Sequence, residues 1–387
     1  MHITEDILCR ILNNDKPSKI SILNWYVKND IIDVGDSHTS ELSRLHVTYQ
    51  KRNRIFNRTF VLKEPSAHPL YKAGLNYGIY SRECLVYTHV LEEMYQLDGD
   101  RMSPKLYYAD NKDSLLLKDL SLAGYKLEDR TKQLDFDQCT LALKTLAKFH
   151  ALSIKLKQSS KIPSEMEQLT WMKRLRDPED MVYTLINNAA DQFFINMDPH
   201  ITEQFPSMKN TAMTCYREVP HENFSFCVLN HGDFWNGNIM FKSDKYGNVK
   251  KVKFVDFQQC LWTSPAYDIL SFVLCSMQFD VYLNHFDILL NTYVTTLNKI
   301  LKYLRCDRCE KETIRNDMKK MAGFGMMVLL CLLPEFISSR EDPLDYRLVP
   351  IGEKNVNFDA LNKIYANEVY LEKLKKWLQR YIEKGYF

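Results

Sequence analysis

The sequence predicts an α+β protein of two lobes, a small N-terminal lobe built on an antiparallel sheet and a larger, mostly helical C-terminal lobe. Three observations predict it. Short apolar runs and alternating stretches bounded by polar turns crowd into the first third of the chain, the signature of strands. From Asp135 onward apolar residues recur at helical spacing instead. A strand, loop and hairpin pattern, Val228 to Phe257, interrupts those helices. With 387 residues the chain is long enough for a large buried core. The division falls between residues 1–120 and 121–387.

Taken in order, Ile3, Ile7, Leu8, Ile11 and Leu12 recur at helical spacing, and a second mixed run, Ile20 to Val27, extends this into a helical lead-in up to residue 32. A turn, Gly35 to Ser40, then stands between Ile31-Ile32 and the alternating Leu45, Val47 and Tyr49. Arg58 to Lys63 reads as the next strand, and a helix carrying Glu83 and Tyr87 begins near Ile79. Lys105 to Tyr108 and Ser114 to Leu120 are two further strands. Phe136, Cys139, Leu143, Leu146, Ala147 and Ile154 give a long helix with Asp135 as its N-cap; His150 lies close to its apolar face and reads as a core histidine. Residues 281–303, 310–333 and 359–384 continue the helical period.

The chemistry concentrates between Val228 and Phe257. An apolar run ends in His231-Gly232-Asp233, with Asn238 five residues on; a second apolar run ends in Asp256. Phosphoryl transfer needs such groups, because its catalysis is mostly positioning and charge neutralisation. One carboxylate, Asp233, would take the proton of an attacking hydroxyl, while Asn238 and Asp256 would hold magnesium, a hard cation that prefers oxygen ligands. His231 then braces the loop by hydrogen bonding.

Asn230-His231-Gly232-Asp233-Phe234-Trp235-Asn236-Gly237-Asn238-Ile239-Met240-Phe241 and Val255-Asp256-Phe257-Gln258 resemble the catalytic loop and metal motif of the ecdysteroid kinase-like family. That family stands with the choline kinases and aminoglycoside phosphotransferases, so the resemblance implies a protein-kinase-like two-lobed fold and two cofactors, ATP and Mg2+. It implies that Lys63, paired with Glu83, reaches the phosphates, that Ser40 belongs to the turn laid over them, and that the backbone from Lys118 to Leu120 forms the hinge against adenine. Lys118 stands where the family usually has an acid. Asp268 resembles the aspartate that fixes the catalytic loop. The acceptor implied is a small hydroxylated apolar molecule such as an ecdysteroid, with Trp235, Trp262 and Tyr267 as candidate walls. Helix resumes about ten residues after Asp256, which leaves little room for a peptide-binding platform.

A net charge of +2 argues against a nucleic-acid partner. The longest apolar run, Met321 to Leu333, is too short to cross a bilayer and reads as a buried helix. Residues 1–10 do not read as a signal peptide, and the ten cysteines follow no repeating pattern, so a soluble cytoplasmic protein is expected. Cys306-x-x-Cys309 lacks the second pair of a zinc site and reads as surface thiols. Two alternatives stand beside the kinase reading: a degenerate kinase fold that only binds, and a metal-dependent phosphohydrolase, which lacks the further ligands of a two-metal centre.

Overall fold

The computed structural model describes residues 3–13, 20–29, 40–65, 78–110, 113–167, 181–206, 223–337 and 359–384. Five strands form the N-terminal sheet: β1 (Ile20–Lys28), β2 (Ser40–Lys51), β3 (Arg54–Pro65), β4 (Leu106–Ala109) and β5 (Leu115–Lys118). Their order is β1-β2-β3-β5-β4, and every neighbouring pair is antiparallel. β2 and β3 pair along their whole length and turn through Arg52 and Asn53, both at positive φ, as a two-residue hairpin loop that matches strand twist requires.

The period of two along these strands decides what each face does. Leu45, Val47, Phe60, Leu62 and Leu116 point to one side, where helix α1 (Glu5–Asn13) buries Ile7, Leu8, Ile11 and Leu12 against them. Leu42, Arg44, Val61 and Lys63 point to the other, into a cavity. The helical lead-in expected through Ile20 to Val27 is corrected here, since this segment is the edge strand β1. Its β-branched and aromatic residues (Ile20, Ile22, Trp25, Tyr26, Val27) favour a pleated surface, and it pairs with β2 from Ile20 opposite Lys51 to Lys28 opposite Arg44. Most of the turn expected at residues 35–40 lies outside the described residues; Ser40 opens β2 and is buried.

After β3 the chain runs through α2 (Ile79–Leu85), a π-helical turn (Val86–Val90) and α3 (Leu91–Asp98). Following β6 (Lys126–Leu127), Asp135 and Gln138 form a capping box that starts α4 (Phe136–Gln158), the long buried helix expected there. α4 packs along a second long helix, α7 (Phe279–Leu304), beyond α5 (Met181–Asn196) and α6 (Ala266–Ser276). Between α5 and α6 lie β7 (Val228–Asn230), β8 (Ile239–Ser243), β9 (Val249–Phe254) and β10 (Leu261–Thr263), in a β6-β8-β9 sheet and a β7-β10 pair. The apolar run from Met321 is buried as expected, through α9 (Ala322–Met327), a π turn (Val328–Leu332) and α10 (Leu333–Phe336), which follow α8 (Lys311–Lys320). Two helices, α11 (Asp359–Tyr365) and α12 (Glu368–Lys384), complete the described chain.

The expectation of surface thiols at Cys306 and Cys309 is half corrected. Cys309 is buried, because Asn298 from α7 accepts its N–H and donates to its C=O, folding the turn inward. No metal-holding cluster of histidine, cysteine or carboxylate occurs among the described residues, nor a helix long and apolar enough to cross a membrane.

Candidate active site

A cavity of about 570 Å³ opens between the front face of the N-terminal sheet and the β7–β10 region. Of the eight site residues expected from the sequence, seven line it: Lys63, Glu83, Lys118, Leu120, Asp233, Asn238 and Asp256. Ser40 is not among its lining residues.

Lys63 is placed by β3, where it sits opposite Leu42 of β2 and Leu115 of β5. Its ammonium lies 2.7 Å from Glu83 Oε2 and 2.8 Å from Asp256 Oδ1. Glu83 comes from the first turns of α2, and its other oxygen accepts the backbone N–H of Phe257 at 3.2 Å. One helix residue therefore fixes both the strand lysine and the segment that carries Asp256. Burial disfavours the charge of Lys63, but Asp256 and Glu83 more than offset it and its pKa is raised. Glu83 is pushed up to about 7, by burial first and by the neighbouring charge of Asp256, against the pull of Lys63.

Asp256 follows β9 with φ 66°, a left-handed conformation that aspartate tolerates better than most residues. Asn238 ends the short 3-10 turn Asn236–Asn238, and its C=O accepts the N–H of Val255 at 3.0 Å, which ties the two expected metal residues together. Its side-chain NH2 donates to the backbone oxygen and to Oδ2 of Asp233, both at 2.9 Å. The amide is thereby turned so that Oδ1 is left for a cation. One carboxylate and one amide oxygen on a single cavity fit magnesium, which takes few ligands from protein and completes its octahedron with phosphate and water.

Behind these groups stands a buried polar network, in which His231 Nδ1 has no partner among the described residues. Asp268, the third residue of α6, is fully buried and accepts the N–H of His231 at 2.6 Å and of Gly232 at 2.9 Å. His150 donates Nε2–H to the same carboxylate at 3.2 Å and accepts the Tyr293 hydroxyl on Nδ1 at 2.6 Å. Asn230 accepts Asp268 N–H and donates to Thr263 C=O across the β7–β10 pair. His231 Nε2–H donates to Val255 C=O at 2.9 Å, so it braces the loop as expected. Burial pulls both histidines below their usual value and keeps them neutral. Gly232 has φ 84°, and a Cβ there would lie 1.9 Å from the carbonyl oxygen of Gln259; only glycine fits between loop and strand.

Of the three candidate aromatic walls, only Trp235 lines the cavity; it stacks on Phe336 of α10 at 3.8 Å and 6°. Trp262 and Tyr267 are corrected: Tyr267 stacks on Phe324 in the core and Lys157 covers Trp262. Sequence reading missed Gln259, Phe336 and Glu335, which line the cavity, and Arg44, whose guanidinium pairs with Asp119 at 2.9 Å beside the hinge. Partners brought to the cavity from distant stretches of the chain, as α10 brings Glu335 and Phe336, leave no local signal in the sequence.

Residues 34–306 match the model of the ecdysteroid kinase-like family. No curated protein matches the sequence. Among solved structures, the chain is similar to a microcompartment-associated aminopropanol kinase at 12% identity, covering 98% of each chain with a TM-score of 0.48. It is similar to the AMP-bound spectinomycin phosphotransferase at 9% identity, covering 85% of this chain and 90% of that one, TM-score 0.42. A glucosamine kinase with glucosamine, ADP and inorganic phosphate matches at 9% identity over 85% and 94%, TM-score 0.39.

Proposed function

We infer the reaction from one premise: the chain belongs to the ecdysteroid kinase-like family of small-molecule phosphotransferases, with its protein-kinase-like two-lobed fold. It transfers the γ-phosphate of ATP to a hydroxyl of a small acceptor, and the acceptor class is an ecdysteroid or another hydroxylated apolar compound. The observation that carries this is convergence. Lys63, Glu83, the Asp233–Asn238 loop and Asp256 come from four separate stretches of the chain and meet on one cavity.

Adenine would lie between Leu42 and Val61 above and Met240 below, at the junction of lobes 1–120 and 121–387. The N–H of Lys118 is already given to Lys105 C=O at 2.9 Å, so hinge recognition falls to the backbone around Leu120. Lys63 would neutralise the α- and β-phosphates while Glu83 keeps it in place. Asn238 and Asp256 would hold magnesium, which neutralises the phosphates when bound. Asp233, turned by Asn238, would accept the acceptor proton as its oxygen attacks the γ-phosphorus. The bond to the β-phosphate oxygen breaks, ADP leaves, and Asp233 returns the proton to solvent. The stacked Trp235 and Phe336 would supply an apolar wall to the acceptor. The described cysteines are free thiols, which supports a reducing, cytoplasmic setting.

Calorimetric titration with MgATP, followed by acceptor-dependent ADP release, tests the reading. Micromolar to millimolar binding and release that depends on a hydroxylated acceptor are expected; absence of MgATP binding would remove it.

A further inference from the structure

Two residues that line the cavity, Tyr87 and Gln259, each hold a buried side-chain oxygen with no hydrogen-bond partner among the described residues: the Tyr87 hydroxyl and Gln259 Oε1. Both flank Asp256. Tyr87 is 2% exposed and packs edge-on against Phe257, the residue after Asp256, with ring centroids 5.6 Å apart. Gln259 lies three residues beyond Asp256, and its backbone carbonyl is wedged against Gly232 of the catalytic loop. An orphaned buried oxygen carries an uncompensated desolvation cost, so its retention calls for an explanation outside the ligand-free fold. Tyr87 also sits in the π-helical turn Val86–Val90, and such turns concentrate at functional sites.

Gln259 Oε1 can only accept a hydrogen bond and the neutral Tyr87 hydroxyl can accept as well as donate, so a donor satisfies both. The nucleotide's phosphates donate nothing at neutral pH. Waters on magnesium do: the protein offers that ion two oxygens, its shell keeps several waters, and coordinated water is a strong donor that needs fixed acceptors. Burial, with the charges of Glu83 and Asp256 added, raises the Tyr87 phenol well above its usual value, so the hydroxyl stays neutral with its lone pairs in place.

Resting on the kinase reading above, we propose that Tyr87 and Gln259 are positioning residues that accept hydrogen bonds from the water shell of the nucleotide's magnesium. They set how strongly metal couples to nucleotide without touching the phosphates.

The test compares wild type with Tyr87→Phe and Gln259→Met in two measurements, melting of the ligand-free protein and calorimetric titration with MgATP or with ATP in EDTA. Deleting an orphaned oxygen leaves the ligand-free melting temperature unchanged or raised. MgATP affinity falls about 5- to 10-fold in each variant, and metal-free ATP affinity does not move, as loss of an outer-shell partner predicts. Equal affinities for MgATP, or equal loss with and without metal, overturns the proposal. An effect in one variant alone removes the other residue from the site. If wild type binds no MgATP, the kinase reading falls and this inference with it; if wild type binds and the variants match it, only the inference falls.

Discussion

The two sides of the catalytic loop are built on opposite plans. Behind it, Asp268, His150, Tyr293, Asn230 and the N–H groups of His231 and Gly232 form a buried network in which each carboxylate oxygen has a donor. In front of it, Lys63 serves two carboxylates at once, Tyr87 and Gln259 hold oxygens without partners, and the cavity is open. The rear is arranged for rigidity, and the front for a guest that brings its own charge. A catalytic carboxylate has to be held to a fraction of an ångström, whereas the groups that meet phosphate and metal gain from being incompletely satisfied beforehand.

That contrast can be broken most forcefully from behind. Asp268→Ala strands two buried N–H groups and a histidine, and should cost about 3–5 kcal/mol of stability, read as a lower denaturant midpoint with an unchanged slope. A variant as stable as wild type would show that the network is not what holds the loop. In front, Asp256→Ala should weaken MgATP binding on the order of 10- to 100-fold while melting changes little; calorimetry with and without metal checks it, and equal affinities would refute the metal role.

Glu83 joins the two plans, and pH sharpens the difference. Its folded-state value near 7 lies above that of an unfolded glutamate, about 4.3, so the folded protein binds this proton more tightly. The stability it contributes is full below the unfolded value and is lost as pH rises through 7. The stability of wild type relative to Glu83→Gln should therefore fall between pH 5 and pH 8 in urea titrations, and a difference independent of pH would contradict the assignment. The smallest effect is expected at Lys118. Its side chain is exposed, and the hinge works through backbone, so Lys118→Glu should change ATP affinity less than about threefold, in keeping with an exposed charge.

The legible part of this molecule was the part whose function requires particular residue types at short spacing. Asp233, Asn238 and Asp256 announce themselves because a base and two oxygen ligands have to follow apolar strands closely, and Asp135 announces a helix start in the same way. Lys63 and Glu83 became legible only through resemblance, since a strand lysine and a helix glutamate are common everywhere. Ile20 to Val27 was misread because its apolar residues fit two periods, and pairing with β2 settles which one. Tyr267 and Trp262 were misplaced because chain proximity to the motifs does not say which way a ring points. Gln259 left no trace in sequence, because being unpartnered is a property of everything packed around a group.

The most direct measurement is transfer of the γ-phosphate from MgATP across hydroxylated steroids, choline, ethanolamine and plant phenolics, with Asp233→Asn run beside wild type. Wild type should phosphorylate a hydroxylated apolar acceptor, and the variant should lose about 10²- to 10⁴-fold in turnover, the range for a general base, while binding MgATP as before. Transfer by the variant at the wild-type rate would contradict the mechanism at its centre.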